Sequence, residues 1–177
     1  RISSDDFIAV IEIEKGSKCK YELDKETGRL ILDRILYTST HYPANYGFIP
    51  RTYADDNDPL DVLVLCSESI LPMALVEAYP IGVLRMKDDG LGDEKIIAVA
   101  KNDPFYNQYK DISEIPDHVM REIKHFFQVY KTLEDKDTEI EEVSGSKTAR
   151  KIIEKGIKAY KEKIEPKIKA ERKARGY

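Results

Sequence analysis

The 177 residues carry 33 acidic and 29 basic side chains, a net charge of -4, and a pI near 5.5. With 41% hydrophobic and 35% charged residues, this composition describes one globular domain with a heavily charged surface and argues against a bulk nucleic-acid binder. No apolar run approaches membrane-spanning length, and no membrane partner is expected.

Two isolated cysteines, Cys19 and Cys66, are too few for a disulfide scaffold and lack metal-ligand spacing. They fit a reducing, cytoplasmic setting. Arg1 to Asp6 does not resemble a secretory leader. The chain lacks an initiator Met, so an upstream segment removed earlier is left open.

In chain order, Phe7 to Glu14 reads as a first strand, apolar on both faces at its start and alternating at its end. Gly16-Ser17 turns the chain into a second strand, Lys20 to Leu23, with Lys20 and Glu22 on one face. Lys25 to Gly28 reads as a hairpin turn, followed by a third strand, Arg29 to Leu36. A face shared by Lys20, Glu22 and Arg34 is either solvated, with ion pairs worth little each, or part of a charged pocket.

Tyr42 to Pro50 reads as a turn-rich connection, because two prolines, a glycine and an asparagine exclude a helix. Its tyrosines either pack in the core or donate phenolic hydrogen bonds to an anion.

Asp55-Asp56-Asn57-Asp58-Pro59-Leu60-Asp61 then runs straight into Val62-Leu63-Val64-Leu65. Four carboxylates within seven residues repel one another and call for cations. Asp56 and Asp58 project to the same side of extended backbone, Pro59 blocks a helix, and Asp61 is held by the strand start. Oxygen donors without His or Cys suit a hard cation, Mg²⁺ or Mn²⁺ in preference to zinc. Asp, Asn and Pro also form ordinary turns, and Pro59 and Leu60 do not fit an EF-hand loop.

Residues 62 to 66 lead away from this turn. A strand from Leu75 to Met86 returns, with Pro80 marking a bulge or an edge. It runs into a second acidic turn, Asp88 to Lys95. One strand out and one back bring the two turns to the same end of a sheet. Lys95 to Ala100 is the next strand.

A helix is expected from about Asp117 to Leu133, with Val119, Ile123, Phe126, Phe127 and Tyr130 on one side. Its histidines, His118 and His125, read as surface or interface residues. A short strand-like piece, Glu139 to Val143, precedes a final helix with Ser146 as N-cap. The basic tail from Lys167 to Tyr177 is expected to be mobile. No repeat or linker marks a second domain, so residues 1–177 are read as one.

With these pieces placed, the chain resembles the family I soluble inorganic pyrophosphatases. The signature Asp-x-Asp-Pro-hydrophobic-Asp-hydrophobic reads here as Asp56-Asn57-Asp58-Pro59-Leu60-Asp61-Val62. The flanking blocks are Lys20-Tyr21-Glu22, Asp33-Arg34, Tyr42 to Pro50, Asp88 to Lys95, and Phe126-Phe127-x-x-Tyr130-Lys131. The likeness runs from about Phe7 to Tyr160 and is of the short, prokaryotic type. The tryptophans that many members carry after the Tyr-Lys pair are absent, with Ile140 and Ser144 in that region, which bears on local packing and not on the chemistry.

The resemblance implies an α+β, predominantly β fold: a five-stranded OB-like β-barrel with one helix after the barrel and one C-terminal helix, assembled as a homohexamer. It implies Mg²⁺-dependent hydrolysis of inorganic pyrophosphate to two orthophosphates by a metal-activated water, with Asp58 as general base and several ions per site. Mn²⁺ is a conceivable substitute. Asp56, Asp61, Asp88, Asp93 and Glu22 are the implied metal residues, Asp61 as a bridge and Glu22 through water.

Lys20, Arg34, Tyr46, Lys95, Tyr130 and Lys131 are the implied phosphate binders. Tyr42 is implied as a further hydroxyl donor, Glu12 as an orienting group, and Asp89 as a neighbour of the metals. A rival reading is an OB-type nucleic-acid-binding module, which an acidic site disfavours because it repels phosphates unless metals are bound.

Overall fold

A computed structural model of the chain describes residues 2–177; Arg1, where the single-domain expectation begins, lies outside the described residues. Its strands are β1 (Phe7–Ile13), β2 (Cys19–Leu23), β3 (Leu30–Ile35), β4 (Asn45–Ile49), β5 (Leu60–Leu65), β6 (Leu75–Asp88), β7 (Leu91–Ala100) and β8 (Thr138–Gly145). The helices are α1 (Asp117–Val129), α2 (Ser146–Lys163) and α3 (Glu165–Ala174).

The strand order β1-β4-β5-β7-β6 closes through a β1–β6 pairing into a five-stranded ring, the expected OB-like barrel. β6 is long enough to pair with β1 over its first residues and with β8 over its last. Its register shifts between Pro80 and Gly82, the bulge that Pro80 announces. The β2–β3 hairpin forms a separate two-stranded sheet outside the ring.

Two cores follow from the two-residue period of the strands. Leu60, Val62 and Val64 of β5 join Phe7, Ala9, Ile11, Ile49, Ala78, Val83, Ile96 and Ala98. Every ring strand contributes to this set, so it fills the barrel, with Ala149 and Ile153 of α2 completing it. Leu63, Leu65, Leu84, Met86, Ile97 and Val99 face the other way and pack with Ile123, Phe126 and Phe127 of α1. Burial on both faces explains why the central strands read as continuous apolar runs. Asp61 stands in step with Leu63, and Asp93 and Lys95 in step with Ile97. The charged residues therefore open on the face that α1 covers.

Three sequence expectations need correction. The segment read as a turn-rich connection contains β4, which pairs with both β1 and β5. Its prolines flank the strand rather than interrupt it. Gly47 is there because a β-carbon would lie 1.8 Å from the Val10 carbonyl oxygen, so the β1–β4 seam closes only over a bare Cα. Asn45 is fully buried; its Oδ1 accepts from the amides of Lys15 and Ile70, and its Nδ2 donates to the Glu68 carbonyl.

Second, α1 ends at Val129, after which Thr132–Glu134 tightens into a 3-10 turn that stops at Asp135 with φ 55°. Third, Ser146 does not cap α2. Asp111, 35 residues away in sequence, accepts from the Ser146 amide at 2.8 Å while also capping its own 3-10 turn. The tail segment Glu165–Ala174 is helical, with proline in its first turn.

Gly47→Ala should destabilise the protein by about 3 kcal/mol or more, since backbone and not a flexible side chain blocks the methyl. Gly92→Ala, whose added carbon meets nothing within 4 Å, serves as the control. Thermal denaturation of both variants should show a fall of roughly 6–12 °C for the first and little change for the second.

Candidate active site

The parallel pairing of β5 with β7 makes Asp61 and Lys95 register partners. The Lys95 ammonium, 3% exposed, lies 3.1 Å from Asp61 Oδ2 and 3.0 Å from Asp93 Oδ2. It also donates to the Tyr46 hydroxyl at 3.0 Å, and it sits near the faces of the Tyr46 and Phe127 rings. Burial alone would favour the neutral amine, but Tyr46, Asp61 and Asp93 overturn that and hold Lys95 well above the ordinary lysine range.

Burial, with repulsion from Asp93 and against the attraction of Lys95, pushes Asp61 up. Burial also raises Asp56, and Asp61, Asp93 and Asp58 add to it. One ammonium thus faces more carboxylate charge than it neutralises, and the excess is drawn toward a single rim.

The acidic turn is tight. Asn57 adopts φ 68°, the Ala54 amide reaches the Asp58 carbonyl, and Asp56 Oδ1 accepts from the Asp58 amide at 3.1 Å. Asp56, Asp61 and Asp93 line one cavity of about 300 Å³, shared with Asp55, Glu94 and Lys155. Asp58 points out of that cavity: its Oδ1 lies 3.1 Å from Lys25 Nζ, on the hairpin between β2 and β3.

On another side Asp88 closes β6, and Asp89-Gly90, both with positive φ, form the two-residue turn into β7. One Asp88 oxygen bonds Lys131, while the other is buried without a partner. Asp89 is exposed on this turn. Its amide donates to the Asp137 carbonyl. Tyr130, buried against Phe126 and Phe127, sits beside Lys131.

On the hairpin, Lys20 contacts Glu22 and Asp33, and Arg34 contacts Asp33 and Glu134. Lys20 and Arg34 are register partners there. Tyr42 is buried, its ring tilted against those of Tyr46 and Phe126, so it reads as packing in this geometry. Glu12 joins ring to hairpin by accepting from the Leu23 amide at 2.7 Å.

Asp56, Asp61 and Asp93 therefore share one cavity with Lys95 beside them, Asp88, Tyr130 and Lys131 form an adjoining group, and Lys20, Glu22 and Arg34 a third. Among the described residues no three acidic, His or Cys side chains are already closed into a cage. The donors are nevertheless all oxygen, carry excess negative charge, and include the partnerless Asp88 oxygen, which is the donor set a hard divalent ion takes.

Glu134, and the pairing of Lys25 with Asp58, are not legible in the sequence, because nothing local to either announces a partner about a hundred or 33 residues away. Asp33 is visible only as part of a block. The second acidic turn falls where the sequence places it, with Asp89-Gly90 as the two-residue hairpin turn.

A closed β-barrel with cations and carboxylates interleaved at one rim is the class of site that handles polyanionic phosphates through divalent metal. The sequence model of the family described as inorganic pyrophosphatase matches residues 9–161, and the chain belongs to that family. Soluble inorganic pyrophosphatase 2 of Chlamydomonas reinhardtii is 49% identical over 157 residues, covering 89% of this chain and 82% of the relative.

The solved inorganic pyrophosphatase of Helicobacter pylori superposes with a TM-score of 0.87 at 45% identity, covering 90% of this chain and 95% of that one. For the Thermus thermophilus enzyme the values are 0.86 and 39%, with 89% and 92% covered. The Plasmodium falciparum enzyme is matched over 64% of its length, with a TM-score of 0.83 at 25% identity.

Glu12 is pushed up to about 7, first by burial and then by Asp61 and Glu22, against the Leu23 hydrogen bond. A carboxyl that holds its proton more tightly when folded stabilises at low pH, and that stability is lost as pH rises from 4.5 to about 7. Glu12→Gln keeps a neutral group throughout. In chelator, its melting temperature relative to the parent should climb by several degrees between about pH 5 and pH 8; a constant difference would count against the raised carboxyl.

Proposed function

We propose that the chain hydrolyses inorganic pyrophosphate to two orthophosphates, as an inorganic diphosphatase, at the rim where β5 and β7 meet. The observation that carries this reading is the Lys95 ammonium held between Asp61 and Asp93, with Tyr46 bonded to it. The residues present fit Mg²⁺, and Asp56, Asp61, Asp93 and Asp88 would hold it, with Glu22 reaching through water. Bound there, divalent metal supplies charge neutralisation and a water acidic enough to attack phosphorus near neutral pH.

The chain's own groups do the rest. Lys20, Arg34, Lys95 and Lys131 offer cationic donors to the phosphates, and Tyr46 and Tyr130 offer hydroxyls beside them. Arg34 offers phosphate a donor fixed in the guanidinium plane, while the lysines act as point charges. Asp58, next to the ligands and paired only with an exposed lysine, takes the proton of the attacking water. For that it must leave Lys25, a small rearrangement since both side chains are two-thirds exposed.

We read residues 2–177 as one domain, and the free Cys19 and Cys66 support a reducing, cytoplasmic setting. Association as a hexamer is supported by apolar side chains left open on the surface, among them Ile31, Ile35, Leu71 and Leu75.

Phosphate release from pyrophosphate, followed with Mg²⁺ and again in chelator, tests substrate and cofactor together; turnover that survives chelation would reject the reading. Asp58→Asn should lower kcat by about 10²–10⁴-fold while Mg²⁺ titration is little changed, because the amide cannot accept the proton. Asp61→Ala should instead weaken metal binding itself, and an unaltered Mg²⁺ isotherm would argue against its role.

A further inference from the structure

Arg34 is held from two sides. On its own strand, NH1 bonds Asp33; across the site, Nε lies 2.8 Å from Glu134 Oε1. Glu134 is no surface partner, since its side chain is only 8% exposed and it closes the 3-10 turn that follows Lys131. A carboxylate that deeply placed is costly unless a cation meets it.

The contact is not a two-point fork. Arg34 Nε and NH2 and Glu134 Oε2 are all buried without a hydrogen-bond partner, so the 2.8 Å Nε–Glu134 contact is an ion pair and not an aligned hydrogen bond. A guanidinium presents its donors in a fixed plane. With Nε turned to Glu134 and NH1 to Asp33, NH2 is the edge left over. Asp33 and Glu134 thus each take one nitrogen of the guanidinium.

We propose that Glu134 is a positioning residue for the phosphate-binding arginine: its charge holds the guanidinium through an ion pair at the Nε edge and leaves NH2, which has no protein partner, to a phosphate oxygen. This rests on the reading of Arg34 as a phosphate ligand. It also ties together two arms of the site. The segment that carries Glu134 carries Tyr130 and Lys131, and Lys131 bonds Asp88 at the end of β6. The β2–β3 hairpin, which lies outside the ring, is thereby braced against the α1 side through one carboxylate.

The test uses the full chain loaded with Mg²⁺, in parent, Glu134→Gln, Glu134→Ala, Glu134→Asp, Arg34→Lys, and the Arg34→Lys/Glu134→Ala pair. KM and kcat for pyrophosphate are measured, and orthophosphate binding is measured separately by calorimetry. Glu134→Ala should raise KM and weaken orthophosphate binding by about tenfold, with kcat within about threefold, since binding and not the chemical step is disturbed. Glu134→Asp should restore part of the loss, because its charge remains.

In the Arg34→Lys background the same alanine change should cost less than about threefold, because the two residues act as a unit. Orthophosphate affinity unchanged in Glu134→Ala, or an equal loss with and without Arg34, overturns the proposal. If Arg34→Lys alone leaves orthophosphate binding intact, the phosphate role of Arg34 fails first, and the positioning role falls with it. Should the alanine variant fail to fold, the isosteric Glu134→Gln carries the comparison, with an expected loss of about threefold to tenfold in binding and no loss overturning the proposal.

Discussion

One cross-strand neighbour relation governs this molecule: Asp61 beside Lys95 on two parallel strands. Parallel pairing requires both strands to start at the same end, and each strand here starts with an acidic turn. The β5 turn delivers Asp56 and Asp58, and the β6–β7 turn delivers Asp88 and Asp93. The two turns could not be brought to one rim by a simple hairpin, because a hairpin would place its second strand antiparallel. The long return strand β6 solves this by carrying the chain back before β7 begins.

The electrostatics follow from that placement. A buried ammonium between two carboxylates is costly to desolvate, and alone it is a weak source of stability. Its use lies in arithmetic of charge. Two aspartates share one lysine, a third aspartate stands close by, and burial raises the protonation tendency of Asp56 and Asp61 alike. The rim is short of positive charge by an amount that divalent cations can supply. A cation-poor site of oxygen donors also repels a bare polyanion. This repulsion sets the site apart from a nucleic-acid groove built on the same kind of barrel.

The sequence made the barrel's apolar strands and the grouping of the acidic turns legible, because both rest on local patterns. Asp56 to Asp61 is one continuous motif, and strand direction alone joins it to Asp88 to Lys95. Other features depend on partners far along the chain. β4 hid among prolines and tyrosines, since its reason for being a strand is the approach of the Val10 carbonyl over Gly47. The α2 cap was assigned to Ser146, the nearest plausible residue, whereas the cap comes from Asp111. Glu134 has no local signal either: a glutamate at the end of a helix reads as solvated until the fold brings Arg34 to it.

The site is therefore made of parts with different rigidity. Asp61, Asp93 and Lys95 stand on ring strands whose opposite face fills the barrel, so their positions are fixed by the core. Lys20, Glu22 and Arg34 stand on a two-stranded hairpin outside the ring, and such a hairpin is marginal by itself. Tyr21 packs against the core on the α1 side, and three polar links join the hairpin to the rest: Glu12 to the Leu23 amide, Lys25 to Asp58, and Arg34 to Glu134. All three involve a carboxylate. Each of these links carries charge close to the rim, so the hairpin is held to the ring partly by contacts that are sensitive to the charge placed there, whereas Asp61, Asp93 and Lys95 are not.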